Sequence, residues 1–429
     1  MGSTQHKGGL RHQSRTLYHA YVRRPALRLC TDILQRVPIS SERFGPPKGI
    51  VASTREWIEA GPPASVHSRF IPVHAPERLT FRPLHTVESE ADFHQFYAEG
   101  LDSPLLRQDE AGTWYTDLPG TFVAEIPEGR AYGCDGAVIT PSDHLLGDLS
   151  PEYTASRYIA GKHSVLAQMH LPKAHYVPGS VAVLASLGAQ EYFAHWMMDM
   201  LPRIGLLEEA GFPLDSIDKF YVNSPNLEYQ KLSLEALGVP MSKVIDSRTH
   251  PHIKAECLIA PSPVSGAFAS SSETCEFLRR RFLEAANSNS NECPRRLYIS
   301  RASAKHRRVT NENEVIQMLV KYGFVALKTE DLSFAEKSQA FSQAEAVVMP
   351  CGSAMANTVY CESGAKIIEI LNPRAVQVCT WAICSQRNAE YYFMFAQGVD
   401  KNDGVLSEDL SVDIEKLIQT LNLAGIKPA

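Results

Sequence analysis

The sequence lacks the features of disulfide-rich, membrane-spanning and secreted proteins. Its 429 residues contain nine cysteines and no C-x-x-C pair, which argues against a disulfide framework or a zinc finger and favours reduced thiols. No run of about 18 apolar residues occurs, so we expect no membrane-spanning helix. The N-terminus has no apolar core of the kind that a signal peptide carries. These absences predict a cytoplasmic protein.

Common nucleotide-binding and metal-binding motifs are also missing. The sequence has no G-x-G-x-x-G and no Walker motif, so it gives little support to nicotinamide, flavin or P-loop nucleotide binding. It has no D-x-D triplet, the pair of carboxylates that often holds a divalent metal beside a diphosphate. The formal net charge of -6 does not favour nucleic-acid binding. We therefore expect no metal, no bound cofactor and no nucleic-acid partner.

The first 45 residues are basic, with eight lysines and arginines against two acidic residues. Such an arm can make peripheral contact with the anionic headgroups of a membrane surface. The simpler interpretation is a solvated tail. In either case, residues 1–60 are predicted to form a basic N-terminal arm and linker.

From about residue 115, short apolar strands alternate with amphipathic helices. Strand patterns include 121–127 and 219–222 in a first block, and 296–300, 346–349 and 366–371 in a second. This alternation is typical of parallel sheets covered on both faces. We predict an α/β protein with two Rossmann-like domains facing a cleft. The predicted divisions are residues 61–290, residues 291–395 and a C-terminal helix within residues 396–429.

Two helices of the second block begin with the pattern of a capping box. Asn311 is followed by Glu314, and Ser333 is followed by Glu336. In a capping box each of the two side chains bonds the backbone N–H of the other residue. We therefore expect helices to begin at both positions.

A cluster of cations borders the strand predicted at 296–300, and most of it lies in the loop that follows the strand. It comprises Arg295, Arg296, Arg301, Lys305, Arg307 and Arg308. In open α/β sheets, ligands bind beyond the carboxyl ends of strands, and arginine matches phosphate oxygens in charge and geometry. This position favours a diphosphate-binding loop over the alternative, a solvated basic loop.

A turn at 350–360 connects a predicted strand to a predicted helix. Gly352 would let the backbone approach a ligand closely, and Ser353 can cap the helix or donate to a phosphate. Ordinary strand–helix packing is the alternative. Cys351 is either a nucleophile activated by the helix N-terminus or a small buried residue. The sequence specifies no histidine partner, so burial is the favoured interpretation.

Glu369 is an acidic residue inside the apolar strand predicted at 366–371. Buried carboxylates are costly unless they are paired. We therefore expect Glu369 either to hold ribose hydroxyls near the carboxyl end of its strand or to pair with a neighbouring cation.

A second candidate site lies in the helix predicted at 191–211, which Pro202 should kink or split. His195 and Asp199 are four residues apart and share a helix face. A histidine oriented by an aspartate is a candidate general base. The alternative is a structural hydrogen-bonded pair in a core helix.

Polar and aromatic neighbours extend this second site. Tyr192, Phe193 and Trp196 could line a sugar site by stacking. Arg203, just after the proline, is a further candidate ligand for a phosphate or carboxylate.

Three segments of the chain together resemble glycosyltransferase family 61. EYFAHWMMDMLPRIGLLEEAG (191–211) is similar to the family's aromatic-x-His-Trp-x-x-Asp-x-Leu-Pro-Arg element. The segment from RLYIS to KYGF (296–324) is similar to its Ser-Arg…Arg-Arg…Asn-Glu run, and the segment from EDLSF to KIIEIL (330–371) to its Leu-Ser-Phe…Gly…Asn…Glu element. Order and spacing match, over roughly residues 115–400.

This resemblance implies a GT-B fold, in which two Rossmann-like domains surround a cleft. It implies an inverting transfer of a sugar, often xylose or N-acetylglucosamine, from a UDP-sugar or similar nucleotide-diphosphate donor. The acceptor would be a hydroxyl of a glycan or of a lipid-linked or protein-linked glycoconjugate. On this resemblance, residues 61–290 form the acceptor-side domain and residues 291–395 bind the nucleotide sugar.

The residues that match the family's elements fall into three sets. They are Arg301, Lys305 and Arg307 on the diphosphate side, Gly352, Ser353 and Asn357 in the donor-binding turn and helix, and His195 and Asp199 facing the cleft. Either His195 or Asp199 would deprotonate the acceptor hydroxyl.

The chain departs from the family at one point of the third element. Cys351-Gly352-Ser353 replaces the usual His-Gly-Ala. Two alternatives to an active transferase follow from this cysteine. One is a catalytically inactive relative that binds nucleotide sugars, and the other is a Cys-dependent hydrolase or acyltransferase.

Overall fold

The computed structural model describes residues 45–61, 67–89, 106–154, 157–158, 163–266, 269–283, 292–399 and 407–429. Of the basic arm and linker predicted over residues 1–60, residues 1–44 lie outside these ranges. None of the described helices is both long and apolar enough to cross a bilayer.

The first part of the chain is rich in short strands. Its strands are β1 (Gly49–Val51), β2 (Arg69–His74), β3 (Glu77–Thr80), β4 (Leu84–Thr86), β5 (Arg107–Gln108), β6 (Trp114–Leu118), β7 (Thr121–Pro127), β8 (Arg130–Tyr132), β9 (Ala137–Ile139), β10 (His144–Leu146), β11 (Tyr153–Thr154), β12 (Arg157–Tyr158), β13 (His175–Val183), β14 (Lys219–Val222), β15 (Val244–Asp246), β16 (His252–Pro261), β17 (Ser265–Gly266) and β18 (Ala269–Ser270).

Helices of this part lie mainly after β13. They are α1 (Thr54–Glu59), α2 (Phe193–His195), α3 (Pro202–Glu209), α4 (Glu228–Ala236) and α5 (Ser272–Leu278), with π-helical turns at Trp196–Met200 and Arg279–Leu283 and 3₁₀ turns at Ser164–Ala167, Leu214–Ser216 and Met241–Lys243.

The first sheet is mixed, whereas the sequence predicts a parallel Rossmann-like sheet. Within the described residues, β16, β13, β14 and β15 are parallel neighbours, but β7 and β8 pair antiparallel with β16. Strands β8, β9 and β10 follow one another as antiparallel neighbours. Their connections are too short for a crossover, and a short turn can join strands only in antiparallel fashion. The prediction is therefore correct for only part of this sheet.

The second part of the chain alternates strand and helix regularly. Its elements are β19 (Arg296–Ile299), α6 (Glu312–Val320), β20 (Val325–Leu327), α7 (Phe334–Gln343), β21 (Ala346–Pro350), β22 (Lys366–Leu371), α8 (Cys379–Arg387), β23 (Glu390–Phe395), β24 (Gln397–Val399), β25 (Asp409–Ser411) and α9 (Ile414–Leu423), with 3₁₀ helices at Thr329–Asp331 and Ser353–Tyr360.

The second sheet is parallel throughout its described strands, in the order β20-β19-β21-β22-β23-β4. Side chains alternate between two apolar clusters: Leu297 and Ile299 face one, and Tyr298 faces the other. Helix α7 covers the first face, and α6 and α9 cover the second. This confirms the predicted parallel sheet with helices on both faces. Residues 84–86, which the predicted division assigns to the first domain, form its edge strand β4.

The two predicted capping boxes have different outcomes. At Ser333, the hydroxyl accepts from the Glu336 N–H (3.3 Å) and the Glu336 carboxylate accepts from the Ser333 N–H (2.8 Å), as predicted. The box at Asn311 is wrong, because the Asn311 side chain bonds both backbone groups of Val412 instead (2.9 and 3.0 Å). Val412, which directly follows β25 in the distant C-terminal segment, competes for this side chain.

Helices of the two parts pack against each other between the sheets. One apolar cluster contains Trp196 and Met200 from the first part and Ala356 and Val359 from the second. Helix α2 and helix α7 both contact the 3₁₀ helix Ser353–Tyr360. This packing brings the two candidate site segments of the sequence together.

Candidate functional site

The second sheet has a topological switch point between β19 and β21. The chain leaves β19 for β20 on one side and then crosses to β21 on the other. Ligands in open α/β sheets bind beyond the carboxyl ends of strands at such a point. Arg301 lies two residues after the end of β19, and Cys351 and Gly352 follow β21 directly. The sequence-predicted cation loop and turn therefore meet at the position at which the fold favours a ligand.

Arg301 is held at the switch point by backbone groups. Its Nε and Nη2 donate to the carbonyls of Arg307 (3.1 Å) and His306 (3.0 Å). Its Nη1 lies against Gly352, where any Cβ would overlap it. The close approach explains why this turn needs a glycine. Burial, together with the positive charge of Arg307, lowers the pKa of Arg301.

Arg307 is the second cation at this point. It has a φ of +57°, in the left-handed region that costs energy for a non-glycine residue. Its Nη1 lies 3.9 Å from Cys351 Sγ, and its buried Nε has no hydrogen-bond partner among the described residues. Two guanidinium groups and an orphaned N–H thus lie together, an arrangement that an anion would stabilise.

The other members of the predicted cation cluster point elsewhere. Arg308 pairs with Asp409, and Arg295 with Glu345. Arg296 donates to two backbone carbonyls, and Lys305 is exposed on the loop. Tertiary contacts therefore divide the six cations, and Arg301 and Arg307 converge.

The turn after β21 ends in a 3₁₀ helix. Ser353 is half-buried at its first residue, and no side-chain hydrogen bond caps the helix. Asn357 is buried, and its Nδ2 donates to the Ala354 carbonyl (3.0 Å) within the helix. Gly352 and Ser353 thus lie at the switch point, while Asn357 supports the helix from inside.

Cys351 and Glu369 lie beneath the turn. Burial raises the pKa of the Cys351 thiol to about 12. Glu369 accepts hydrogen bonds from Thr380 and Tyr391, each at 2.8 Å, and is fully buried. Burial raises its pKa to about 7. In these contacts Glu369 holds protein hydroxyls rather than a cation, and it has no open path to a ribose.

His195 and Asp199 form a hydrogen-bonded relay in the first part. His195 Nδ1 lies 2.6 Å from Asp199 Oδ2, and Ser265 Oγ donates to Asp199 Oδ1 (2.5 Å). His195 and Ser265 lie in the segments that follow the neighbouring parallel strands β13 and β16. Burial alone would lower the pKa of His195, but the hydrogen bond and charge of Asp199 outweigh it and raise the pKa.

The geometry of this relay has local causes. Pro202 lacks an N–H and begins α3, so it splits the predicted helix as expected. The preceding turn is π-helical, with Leu201 N bonded to the Trp196 carbonyl at 3.1 Å. Gly188, with a φ of +76°, lies beneath the His195 ring, where a Cβ would approach Cδ2 to 2.9 Å. These features fix the position of the His195 imidazole relative to the loop at Gly188.

Two of the four residues predicted for stacking or anion binding near His195 are buried. Trp196 is fully buried, and its Nε1 donates to Ser233 Oγ (2.9 Å), so neither ring face is open to a sugar. Arg203 is also buried and donates to the Ala185 carbonyl (3.1 Å), which fixes the loop after β13. Tyr192 is 48% exposed and packs edge-on against His195. Phe193 is partly buried and packs edge-on against Tyr229. Tyr192 and Phe193 are therefore the two that can meet a ligand in this structure.

A cavity of about 590 Å³ lies between the two parts of the protein. The first part contributes Phe193 and Tyr229 to its lining, and the second contributes Arg301, Lys337 and Ser353. The cavity therefore extends from the switch point to helix α2, whose last residue is His195.

Sequence reasoning missed some residues of this site. Ser265 carries no sequence signal, because it is a lone serine far from Asp199 in the chain. Tyr229 and Lys337 lie on helices that the sequence predicts, but the patterns do not show that these helices border a ligand cavity. Within the described ranges, no three His, Cys, Asp or Glu side chains are placed to hold a metal ion, and metal independence stays a prediction.

The family model for Glycosyltransferase 61 matches residues 193–368. This part of the chain belongs to glycosyltransferase family 61. The match begins in α2 and ends within β22, so it spans His195, Asp199, Arg301, Arg307 and the turn after β21. No curated protein sequence matches the chain.

The family confirms the predicted resemblance and a general activity. The protein is a glycosyltransferase, which moves a sugar from a donor to an acceptor. Both halves of the candidate site fall inside the glycosyltransferase 61 region, and Glu369 lies one residue beyond it.

Proposed function

We propose that this glycosyltransferase takes its sugar from a nucleotide-diphosphate donor, with UDP as the expected nucleotide, and inverts the configuration of the anomeric carbon. The observation that supports this proposal is the pair of arginines at the switch point of the second sheet. Arg301 lines the cavity. The neighbouring Arg307 has a buried Nε–H group without a hydrogen-bond partner among the described residues. A diphosphate supplies the negative oxygens that such a pair lacks.

The two-part architecture supports a GT-B arrangement. Each part has parallel strands whose carboxyl ends carry one half of the candidate site. The cavity between them would hold the donor against the second part and the acceptor against the first. Bringing the parts together around both substrates would exclude water and limit hydrolysis of the donor.

His195 is the proposed general base. Asp199 accepts from Nδ1, which leaves the Nε2 lone pair to receive the proton of an acceptor hydroxyl. Within the described residues, Nε2 makes no hydrogen bond. The deprotonated oxygen would attack the anomeric carbon while the bond from that carbon to the diphosphate breaks. The hydrogen bond and charge of Asp199 raise the pKa of His195, which makes the imidazole a stronger proton acceptor.

The second part would stabilise the departing diphosphate. Arg301 and Arg307 provide fixed positive charge at the switch point, and the N-terminal end of the helix Ser353–Tyr360 adds backbone N–H groups nearby. Lys305, exposed on the same loop, is close enough in sequence to join them on donor binding. We propose no metal in this step.

The sugar and the acceptor are proposed from the family resemblance. Xylose or N-acetylglucosamine is the expected sugar, and a hydroxyl of a glycan, lipid-linked or protein-linked, is the expected acceptor. Exposed Tyr192, beside His195, is the residue that we expect to contact the acceptor. A cytoplasmic location and membrane contact through residues 1–45 remain predictions from the sequence.

An inactive nucleotide-sugar-binding relative is the second candidate, and Cys351 motivates it. In place of a family histidine, the turn carries a buried thiol beside Arg307 and Gln377. This thiol could not replace an imidazole in proton transfer. The third candidate, a Cys-dependent hydrolase, loses support, since burial raises the pKa of Cys351 to about 12 and leaves little thiolate.

A binding experiment tests the donor proposal. The full chain is titrated by calorimetry, with a chelator present, against nucleotides and nucleotide sugars. We expect UDP and UDP-sugars to bind without metal, and Arg301→Ala and Lys305→Ala to lose most of the affinity. Arg295→Ala is the matched control, because Arg295 pairs with Glu345 and is well exposed. A folded protein that binds no nucleotide would refute the proposal. Nucleotide binding without sugar release to any acceptor would favour the inactive relative.

A further inference from the structure

Lys337 is a buried cation in the wall of the cavity between the two parts. It lies on α7 and is 6% exposed, and its Nζ is 5.2 Å from the ring centre of Phe193 and 5.4 Å from that of Phe334. Within the described residues its ammonium group makes no hydrogen bond and no ion pair. Its contacts with protein are therefore with the faces of two aromatic rings.

Such a lysine is unusual, because an ammonium group without a polar partner is costly to bury. Burial lowers the pKa of Lys337, and the charges of Glu330 and Glu336 oppose that shift. Both carboxylates already have partners. Glu336 caps α7 through Ser333, and Glu330 accepts from the Ser303 hydroxyl. The three N–H donors of Lys337 thus remain available to a ligand in the cavity.

The surroundings of Lys337 fit a flat ring better than a phosphate. Phe193, Tyr229 and Phe334 line the cavity and lie within 5.3 to 6.4 Å of one another, measured between ring centres. Aromatic side chains of this kind offer stacking surfaces to a nucleic base. A phosphate at this place, by contrast, would have to leave water and lie against aromatic rings.

Three carboxylates on the cavity wall favour a ribose over a phosphate near Lys337. Glu228, Glu330 and Asp331 line the same cavity. They would repel phosphate near Lys337 but can accept hydrogen bonds from ribose hydroxyls. The anion-binding arginines lie at the switch point instead, where Arg301 reaches the cavity beside Ser353.

We propose that Lys337 donates a hydrogen bond to a carbonyl oxygen on the base of the donor nucleotide and thereby selects the base. This inference rests on the proposed nucleotide-diphosphate donor. The carbonyl is the one that uracil or guanine carries where cytosine or adenine carries an amino group. An amino group at that position would place N–H donors against the ammonium group of Lys337. Neither group would then have a hydrogen-bond acceptor. Sites built to hydrogen-bond a group reject analogues that lack it.

The test compares bases at constant phosphate charge. The full-length wild type and Lys337→Met are titrated by calorimetry with UDP and CDP, and Lys321→Met serves as the matched control on an exposed lysine at the end of α6. We expect the wild type to prefer UDP. Lys337→Met should weaken UDP binding about 10- to 100-fold, as for loss of a charged hydrogen bond, and leave CDP binding unchanged. The control should match the wild type.

Three other outcomes would overturn the inference. Equal losses for UDP and CDP would assign Lys337 to the phosphates, and no loss for either would make it a structural residue. Binding of no nucleotide by the folded wild type would instead refute the proposed donor, and the inference with it.

A folding control accompanies the titration. Methionine has a similar length and no charge, so we expect the melting temperature of Lys337→Met to equal or exceed that of the wild type. Should that variant fail to fold, Lys337→Gln replaces it, with the same expected loss of preference for UDP. Unchanged preference in Lys337→Gln would overturn the inference.

Discussion

The candidate site has two walls, the first around His195 and the second around Arg301, and they carry their chemistry in different ways. On the first wall, His195 is oriented by side chains, through Asp199 and then Ser265. On the second wall, Arg301 is oriented by backbone carbonyls and by contact with Gly352. The first wall presents a group that can change its protonation state, and the second presents fixed positive charge.

This difference suits the two walls to different steps, proton transfer at the first and stabilisation of negative charge at the second. A side-chain relay tunes the pKa of a proton acceptor, as Asp199 does for His195. A backbone-held guanidinium stays charged and keeps its place, which suits a leaving group whose charge grows in the transition state. We therefore expect damage to the first wall to slow turnover and damage to the second wall to weaken donor binding.

Removal of the base should have the largest effect. In His195→Ala we expect the rate of sugar transfer to fall about 10²- to 10⁴-fold, since the general base is lost, while the Kd for UDP stays within twofold. Transfer assays and calorimetry on the same preparation measure both quantities. His250→Ala, at an exposed histidine, is the control. A large loss of UDP affinity in His195→Ala would show that the first wall also binds the donor, and would contradict the proposed difference between the walls.

The buried acid beneath the second wall should make stability depend on pH. The pKa of Glu369 is raised from 4.5 to about 7, with burial as the main cause. The folded protein therefore keeps a proton that the unfolded chain has released, and the free energy of unfolding falls as the pH rises from 4.5 to 7. The fall should approach about 3 kcal/mol.

The Glu369→Gln variant checks this pH dependence, because glutamine resembles the protonated acid. Urea unfolding at several pH values should show a flatter profile in Glu369→Gln than in the wild type. Glu415→Gln, at an exposed position of α9, should keep the wild-type profile. Identical slopes in all three proteins would show that Glu369 does not titrate in this range.

A methyl group at the turn should have the smallest effect. In Gly352→Ala the new Cβ would overlap Arg301 Nη1, so the guanidinium must shift. We expect the Kd for UDP to rise about tenfold, the value of one displaced charged hydrogen bond, without a matching loss of folding. Gly49→Ala is the control, because its nearest neighbour would be 3.9 Å away. Unchanged UDP affinity in Gly352→Ala would show that the position of Arg301 does not matter for donor binding.

Part of the candidate site could be predicted from the sequence. His195 and Asp199 share a helix face by their spacing, and the structure pairs them. Arg301 and Gly352 follow apolar strands, and parallel strands bring such positions to one edge of a sheet. Local spacing and strand order were sufficient in these cases. Their roles in binding and catalysis remain predictions.

Other parts of the site depend on neighbours that are distant in sequence. Trp196 looks like a stacking residue beside His195, but a neighbouring helix covers it through Ser233. Arg308 resembles Arg307 in sequence, yet Asp409 pairs with it. Ser265 and Lys337 show no sequence signal at all. No local pattern encodes which distant element will cover a given side chain.

The sequence by itself determined the alternation of strands and helices in the second sheet, because apolar periodicity and caps act over a few residues. It also carried the glycosyltransferase 61 signature. The tertiary structure alone decided that the first sheet is mixed and which two of six cations converge. It also decided that a lysine is buried in the wall of the cavity. Those outcomes depend on burial and pairing between distant segments, whose free energies no short stretch of sequence contains.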